Sequence, residues 1–289
     1  MDKFTPLLAK EFSRREEHIG NILRLLDEGN TVPFIARYRK EMHGTTDDQT
    51  IRAIADRLTY LRGLDERKAA VVSAIEAQGK LTDELSAAIE NAQTLAEVED
   101  IYRPYKQKRR TRATIAREKG LAPLAELLLS QTVTSGTLEA LAAPYVNEEK
   151  EVMSTDDALT GAGDIIAETI SDDAAIRAAL RRLYRTRGVL WAKAATDEDS
   201  VYRLYYDYRE PVSRVQGHRV LAVNRGEREG MLKAGVEIED ALALQEIRRA
   251  VFRGISISNA FVNACCEDAW RRLIEPSAER EIRGELTDA

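Results

Sequence analysis

The sequence is poor in cysteine, histidine and aromatic residues, and each shortage excludes a kind of site or fold. Its two cysteines, Cys265 and Cys266, are neighbours in a helical pattern, where a disulfide between them would be strained. We therefore predict that both are reduced packing residues. Two cysteines and three distant histidines do not have the spacing of a zinc site, so no metal and no other cofactor is expected.

Long apolar runs and catalytic motifs are also missing. No stretch approaches the ~20 residues that span a bilayer, and the N-terminus lacks a signal region, so we expect a cytoplasmic protein without a membrane partner. Phosphate-binding glycine loops, zinc-protease helices and serine-hydrolase turns are absent, and Gly161-Ala162-Gly163 is expected to be a turn. The sequence predicts neither an enzyme nor a small-molecule substrate.

What is present favours an ordered, all-α protein. Hydrophobic residues at 44% can fill a core, and charged residues at 32% have both signs interspersed. At most one or two short strands are expected, near residues 231–238. A length of 289 residues exceeds the usual single domain, so we predict an N-terminal helical region, 1–195, and a second helical region, 196–289.

A helix-turn-helix-like element is predicted near the N-terminus. Gly29 ends one helix as a left-handed cap and Pro33 opens the next in its first turn. Val32, Ile35 and Tyr38 are expected to face inward on the second helix. Three cations would then be exposed, namely Arg37, Arg39 and Lys40. These cations could read DNA in a groove, but such geometry often serves packing alone.

Two capping boxes predict the helices that follow. Thr46 to Gln49 should start a long helix that runs to about Gln78 and is closed by Gly79. Thr94 to Glu97 should start a short helix that leads directly into the most basic part of the chain. That part is therefore predicted to be held in place by ordered helices.

The basic stretch, residues 102–119, contains eight Lys or Arg and a single acid, Glu118, in a chain whose net charge is −6. Such a concentration is typical of a surface that contacts phosphate backbones. The alternative is a solvated basic loop that pairs with acidic neighbours. We expect Tyr102 and Tyr105 to anchor it. The candidate nucleic-acid-binding residues of this stretch are Arg103, Lys106, Lys108, Arg109, Arg110 and Arg112.

Two further patterns have competing interpretations. Arg177, Arg181 and Arg185 recur every four residues on the outer face of a predicted helix, where they could bind phosphate or pair with the preceding acidic segment, 148–173. Pairing is favoured, because opposite charges on neighbouring elements need no ligand. Tyr202, Tyr205 and Tyr206 are at helical spacing and could stack on bases, but core packing is favoured for them. A kink is expected at Pro276.

Four motifs resemble the N-terminal region of the bacterial Tex family of transcription accessory proteins. They are Asn30–Glu41, Tyr102–Leu121, Tyr205–Pro211 and His218–Glu227, in the order of the family. The resemblance implies a helical body with helix-turn-helix character, followed by an RNase-H-like domain, helix-hairpin-helix elements and an OB-fold RNA-binding domain. None of those later parts is recognised here, so we expect a shortened N-terminal region in which 196–289 leads toward the RNase-H-like domain.

Two functions remain open from sequence. The first is a non-catalytic module of a transcription accessory factor that binds RNA or DNA, weakly because the net charge is negative. The second is a protein-interaction scaffold that docks RNA polymerase, the ribosome or the family's own downstream domains. The sequence leaves open the preference between RNA and DNA, the sequence specificity and the oligomeric state.

Overall fold

Helices make up most of the chain, which confirms the all-α prediction. A computed structural model of the chain describes residues 2–106 and 110–288. The chain divides into two compact units, Met1–Tyr102 and Arg103–Ala289. The division predicted after residue 195 falls inside the second unit.

The first unit is entirely helical in its described part, and its core is formed by apolar residues of its first, second, third and fifth helices. Its helices are α1 (Thr5–Glu11), α2 (Glu16–Asp27), α3 (Val32–Tyr38), α4 (Lys40–His43), α5 (Asp48–Glu76), α6 (Asp83–Asn91) and α7 (Leu95–Tyr102).

The turn between α2 and α3 has the predicted chemistry. Gly29 has a φ of +83°, and its N–H donates to the carbonyl of Leu26 at 2.9 Å, which satisfies a carbonyl at the end of α2. Pro33 lies in the first turn of α3. The prediction that Tyr38 faces inward is wrong, because α3 ends at Tyr38 and buries only Ile35. Whether this element reads a groove stays a prediction.

The start of α5 differs by one residue from the predicted capping box. The Asp47 carboxylate accepts the N–H of Thr50 at 2.8 Å, so Asp47 is the N-cap, whereas the Thr46 hydroxyl donates to the carbonyl of His43 at 2.6 Å. The second box is confirmed. The Thr94 hydroxyl accepts the N–H of Glu97, and the Glu97 carboxylate accepts the N–H of Thr94.

The second unit contains the larger core and the only strands among the described residues. Its helices are α8 (Arg112–Glu118), α9 (Ala122–Ser130), α10 (Leu138–Ala142), α11 (Thr155–Asp172), α12 (Ala174–Arg187), α13 (Gly217–Arg228), α14 (Asp240–Val251), α15 (Asn259–Asp268) and α16 (Glu275–Asp288). Its strands are β1 (Val189–Ala194), β2 (Asp207–Pro211) and β3 (Leu232–Glu237).

The strands form one small antiparallel sheet in the order β2-β1-β3. Strand β3 confirms the extended segment expected near 231–238, whereas β1 and β2 were not predicted. In β1 and β2 the buried positions alternate over only five or six residues, which is too short a pattern to compete with the helical patterns around it. Trp191 of β1 is paired with Gly235 of β3, where a side chain would collide with the indole ring.

Helix α11 runs through the centre of the second unit and corrects the prediction for Gly161-Ala162-Gly163. These residues lie in the middle of the helix, not in a turn. A Cβ on Gly161 would lie 2.4 Å from a methyl carbon of Leu121, so the missing side chain lets α8 and the start of α9 approach closely. The glycines therefore serve helix packing.

The C-terminal helices follow one another without an intervening loop, and the kink expected at Pro276 stays a prediction. After α15, residues Ala269–Ile274 form a π-helical stretch that leads into α16, with Pro276 in the first turn of α16. Pro276 lacks an N–H, so a carbonyl of the preceding turn loses its helical donor. None of the described helices has both the length and the apolar character needed to cross a membrane.

Candidate nucleic-acid interface

The basic stretch leaves α7 through one turn of 3-10 helix, Arg103–Tyr105, and re-enters helix at α8. Of its predicted binding residues, Arg103, Lys106, Arg110 and Arg112 are described by the structure. Lys108 and Arg109 lie outside the described residues.

A buried carboxylate holds the C-terminal end of this stretch. The Thr111 hydroxyl caps α8 by accepting the N–H of Thr114 at 3.0 Å, and it donates to Oε2 of Glu168 at the same distance. The Arg117 guanidinium donates to Oε1 of Glu168 at 2.7 Å. Glu168 lies on α11, so the capping residue of α8 is tied to the central helix of the second unit.

The sequence did not reveal Glu168. It lies 57 residues after Thr111, and nothing in its own neighbourhood distinguishes it from the other acids of the segment 148–173. Its role follows only from the packing of α8 on α11.

In its described part, the stretch exposes most of its cations and partly buries its two tyrosines. Lys106, Arg110 and Arg112 are exposed, and Arg103 is half-buried. Tyr102 and Tyr105 are half-buried. The guanidinium carbon of Arg67 lies 5.5 Å from the centroid of the Tyr102 ring, which is an attractive cation–π distance.

Acidic neighbours offset part of the positive charge. Arg110 contacts the Glu118 carboxylate at 3.3 Å, and the Lys119 ammonium lies 3.6 Å from the Glu151 carboxylate. In the described part of the chain, Arg103 and Arg112 form no ion pair. The effective charge of the stretch is therefore below the value that a residue count predicts.

Next to α8 lies a groove of about 420 Å³ with mixed charge. Arg112 and Lys119 contribute cations to it, whereas Asp157 and Asp164 contribute carboxylates. Burial raises the pKa of Asp164 above its usual value, and the positive charges of Arg272 and Arg112 oppose that rise. Carboxylates in the lining disfavour phosphate, so the exposed side of the stretch is the better phosphate surface.

The second group of predicted binding residues lies in the first unit. Arg37, Arg39 and Lys40 are exposed, as expected, and none of them forms an ion pair with any described residue. The guanidinium carbon of Arg39 lies 5.6 Å from the centroid of the Phe34 ring. Thus the structure places the predicted binding residues in two different units.

Two residues beside this group were not predicted as site residues. Phe34 is 37% exposed and Tyr38 is 60% exposed, and their ring centroids are 5.3 Å apart. The sequence did carry a signal for this pair, because Phe34 and Tyr38 are four residues apart and such positions share one face of a helix. In a seven-residue helix that buries only Ile35, that face is left outside the core.

The arginine ladder of α12 does not belong to the interface, and its predicted outward orientation is wrong. Arg177 and Arg181 are buried, and both contact the carboxylate of Glu281. Arg185 pairs with Glu285 at 2.7 Å. Pairing was correctly favoured over phosphate binding, and the carboxylates of Glu281 and Glu285 on α16 are among the partners.

The tyrosine-rich segment is a packing cluster, as favoured. Tyr202 is buried, and its hydroxyl donates to Glu229 at 2.9 Å, while the Tyr206 hydroxyl donates to that of Ser200 at the same distance. The segment forms a turn of 3-10 helix followed by β2, so the helical spacing was a misleading signal.

The cysteines are unsuited to nucleophilic chemistry. Both are free and buried, which confirms the prediction of reduced packing residues. Burial raises the pKa of Cys265 to about 12 and the pKa of Cys266 to about 11, so both remain thiols at neutral pH.

One of the histidines is engaged in backbone hydrogen bonds. His43 is buried; its Nδ1 accepts the N–H of Thr46 at 3.0 Å, and its Nε2 donates to the carbonyl of Ile35 at 3.1 Å. Within residues 2–106 and 110–288, no three His, Cys, Asp or Glu side chains come together as metal ligands would.

Comparison with known proteins finds two matching family models. Residues 2–76 match the Tex-like protein N-terminal domain, and residues 134–289 match the Tex central region-like model. Together with the motifs and helices described above, these matches cover most of the chain.

Several curated proteins are similar over nearly the whole chain. The uncharacterized protein YdcI of Bacillus subtilis is 44% identical over 97% of this chain and 40% of its own length. The transcriptional accessory protein Tex of Neisseria gonorrhoeae is 39% identical over 99% of this chain and 38% of its own length. The human S1 RNA-binding domain-containing protein 1 is 29% identical over 93% of this chain and 28% of its own length. The chain thus spans about 40% or less of these relatives.

Proposed function

Because this chain belongs to the Tex family, we propose that it is a non-catalytic nucleic-acid-binding module of a transcription accessory protein. The observation that carries the proposal is the basic stretch, residues 102–119, whose exposed cations Lys106, Arg110 and Arg112 stand beside a helix cap tied to α11. A surface held by the fold loses little conformational freedom on binding, which favours contact with phosphates. The names of two relatives, a transcriptional accessory protein and an S1 RNA-binding domain-containing protein, support the same role.

Binding by this chain alone should be weak and strongly salt-dependent. The net charge is −6, and Glu118 and Glu151 contact cations of the stretch. Non-specific affinity depends on the summed positive field, so binding is expected only at low ionic strength.

The test is a salt-titrated anisotropy measurement with matched single- and double-stranded RNA and DNA. Replacement of Lys106, Arg110 and Arg112 by alanine should weaken binding at low salt. It should also reduce the slope of log affinity against log salt by about 2, because each lost phosphate contact removes roughly 0.7–0.9 from that slope.

A matched control removes the same charge elsewhere in the second unit. Arg203, Arg209 and Arg225 are exposed arginines outside the basic stretch that, like Arg110, each pair with a nearby carboxylate. Their replacement by alanine should leave the slope unchanged, because they are not part of the proposed phosphate surface. Equal losses in both triple variants would mean that net charge alone drives binding and would contradict the proposal.

The non-catalytic part of the proposal is supported by the lack of catalytic motifs and by the buried thiols. Incubation of labelled RNA and DNA with the protein and magnesium should therefore leave the strands intact. Cleavage activity that stays with the protein through repurification would overturn the non-catalytic part of the proposal.

A protein-docking role is the second candidate, and one observation favours it. Val201 and Leu204, in the segment between β1 and β2, are 88% and 86% exposed, which is unusual for two apolar residues so close together. This exposed segment could contact the transcription machinery, the ribosome or other domains of a longer Tex protein. Replacement of both residues by serine should then abolish recovery of a protein partner from nuclease-treated extract, while the basic-stretch triple variant should retain that partner.

A further inference from the structure

Two aromatic rings on α3 are exposed, although the packing of the fold does not require their exposure. Ile35 is the only buried residue of this helix, whereas the rings of Phe34 and Tyr38 lie next to each other on its outer side with their planes inclined by 43°. An aromatic ring that stays in water forgoes the free energy that its burial would provide. The exposure of the two rings is therefore better explained by a ligand than by packing within the chain.

Three cations without an ion pair adjoin the two rings in sequence, and the guanidinium of Arg39 lies over the Phe34 ring. Arg37 lies between them in sequence, and Arg39 and Lys40 follow directly. None of the three forms an ion pair with the rest of the described chain.

Other arginines of the same unit show the contrast. On α5, Arg57, Arg62 and Arg67 each pair with carboxylates of other segments of the unit, and those partners are Glu11, Asp2 with Asp27, and Glu99. Carboxylates are thus available in this unit, but the cations beside the rings are left without them.

We infer that this α3 face, consisting of Phe34, Arg37, Tyr38, Arg39 and Lys40, binds single-stranded nucleic acid by stacking unpaired bases on its rings. The cations would contact the adjoining phosphates. Rings combined with cations are the usual means of binding single strands without sequence preference, since every base has a stacking face. The inference rests on the proposed nucleic-acid-binding function and adds the kind of strand and the mode of contact.

The two rings of the α3 face favour single strands over duplexes. In a duplex, both faces of each base are covered by neighbouring base pairs, so an aromatic ring has no free base to stack on. The rings of Phe34 and Tyr38 therefore add to the binding of single strands only, whereas the cations of the face can contact the phosphates of either kind of strand. The groove beside Arg37 and Lys40 is also lined by Asp47 and Asp48, which disfavours phosphates there and favours the side of Arg39.

The test uses single strands of roughly ten nucleotides, as RNA and as DNA, that carry one 2-aminopurine whose fluorescence is quenched by stacking. The wild-type chain should quench the probe at low salt. Tyr38→Leu, which keeps an apolar side chain but removes the ring, should lose most of the quenching and bind the single strand about tenfold more weakly. Tyr38→Phe, which keeps the ring, should behave like the wild type.

Phe34→Leu provides the second ring variant, and the duplex provides the matched ligand. Both leucine variants should leave duplex binding unchanged, and their thermal melts should match the wild type, because Ile35 and the core beneath α3 are untouched. A melt that matches shows that any lost quenching comes from the ring.

The outcomes separate this inference from the proposed function. Unchanged quenching in both leucine variants, or equal losses for single strands and duplexes, would overturn stacking and point to a protein partner for the α3 face. If the basic-stretch variant still weakens binding in that case, the proposed function stands. If the wild-type chain binds no nucleic acid at low salt, both proposals are wrong.

Discussion

At the scale of single residues, the most consequential position is Glu168. Its carboxylate connects Thr111, which caps α8, with Arg117 on the same helix, and it is largely buried on α11. A buried acceptor of this kind is costly to remove, because its donors lose partners that water replaces only in part.

We expect Glu168→Ala to lower the free energy of unfolding by about 2 kcal/mol, and Glu168→Gln, which keeps an acceptor for Thr111, by about 1 kcal/mol. Urea denaturation measures both. Glu118→Ala is the control, because its contact with Arg110 is exposed and should contribute less than about 0.5 kcal/mol. If Glu168→Ala costs no more than this control, Glu168 does not anchor the stretch.

At the scale of elements, the packing of α12 against α16 depends on a small ionic cluster. Arg177 and Arg181 are buried and share the carboxylate of Glu281, whereas Arg185 and Glu285 form a more exposed pair one turn further along. Glu281 and Glu285 thus allow arginine–carboxylate pairing to be compared at two degrees of burial.

We expect Glu281→Ala to cost about 2–3 kcal/mol of unfolding free energy, because it removes a charged acceptor from two buried guanidinium groups. Glu285→Ala should cost less than about 1 kcal/mol, since the exposed pair is screened by water. Denaturant titration of the two variants checks the difference, and similar costs would show that the burial of the arginines does not matter.

Two glycines in helix interiors provide a second comparison between elements. A Cβ on Gly226 of α13 would lie 2.6 Å from a methyl carbon of Leu232 and 3.0 Å from the Tyr202 ring, both in a packed cluster. A Cβ on Gly284 of α16 would meet no atom within 4 Å.

We therefore expect Gly226→Ala to destabilise the second unit by about 1–3 kcal/mol through overpacking. Gly284→Ala should stabilise it by about 0.5–1 kcal/mol, because alanine is the better helix former and nothing opposes it. Thermal melts of both variants measure the shifts; a stabilised Gly226→Ala variant would contradict the close packing of α13 on β3.

At the scale of the whole first unit, ion pairs between distant segments make stability depend on pH. Hydrogen bonds from Arg57 lower the pKa of Glu11 below its ordinary 4.5, and hydrogen bonds from Arg62 lower the pKa of Asp27 below its ordinary 3.8. Lowered values in the folded state mean that the unfolded chain binds these protons more readily.

The stabilisation from these carboxylates should be complete above about pH 5 and should be lost as the pH falls through the ordinary values and toward the lowered ones. We expect the urea midpoint of the wild type to fall between about pH 5 and about pH 3. The double variant Arg57→Gln, Arg62→Gln should show a shallower fall, because its carboxylates titrate at nearly the same pH in both states. Parallel curves for the two proteins would contradict this assignment.

Local chemistry made much of the fold predictable. Helix ends at Gly29, Gly79 and Thr94 follow from caps whose partners lie within a few residues, so they can be identified without the tertiary structure. The two missed strands and the misread Gly161 depend on partners across the unit. Similarly, the cations of the candidate interface were found from sequence, but the exposure of Tyr38 and the role of Glu168 were not.

By itself, the sequence determined the helical class, the position of the basic stretch and the resemblance to the Tex family, because composition, caps and motifs are local properties. Only the tertiary structure decided which charges are neutralised. Glu281 pairs with Arg181 from 100 residues away, and Glu168 accepts a hydrogen bond from Thr111 across 57 residues. In contrast, Arg37, Arg39 and Lys40 have no ion-pair partner among the described residues. A charge is available to a ligand only where folding brings no opposite charge to it, and that depends on contacts between residues far apart in the sequence.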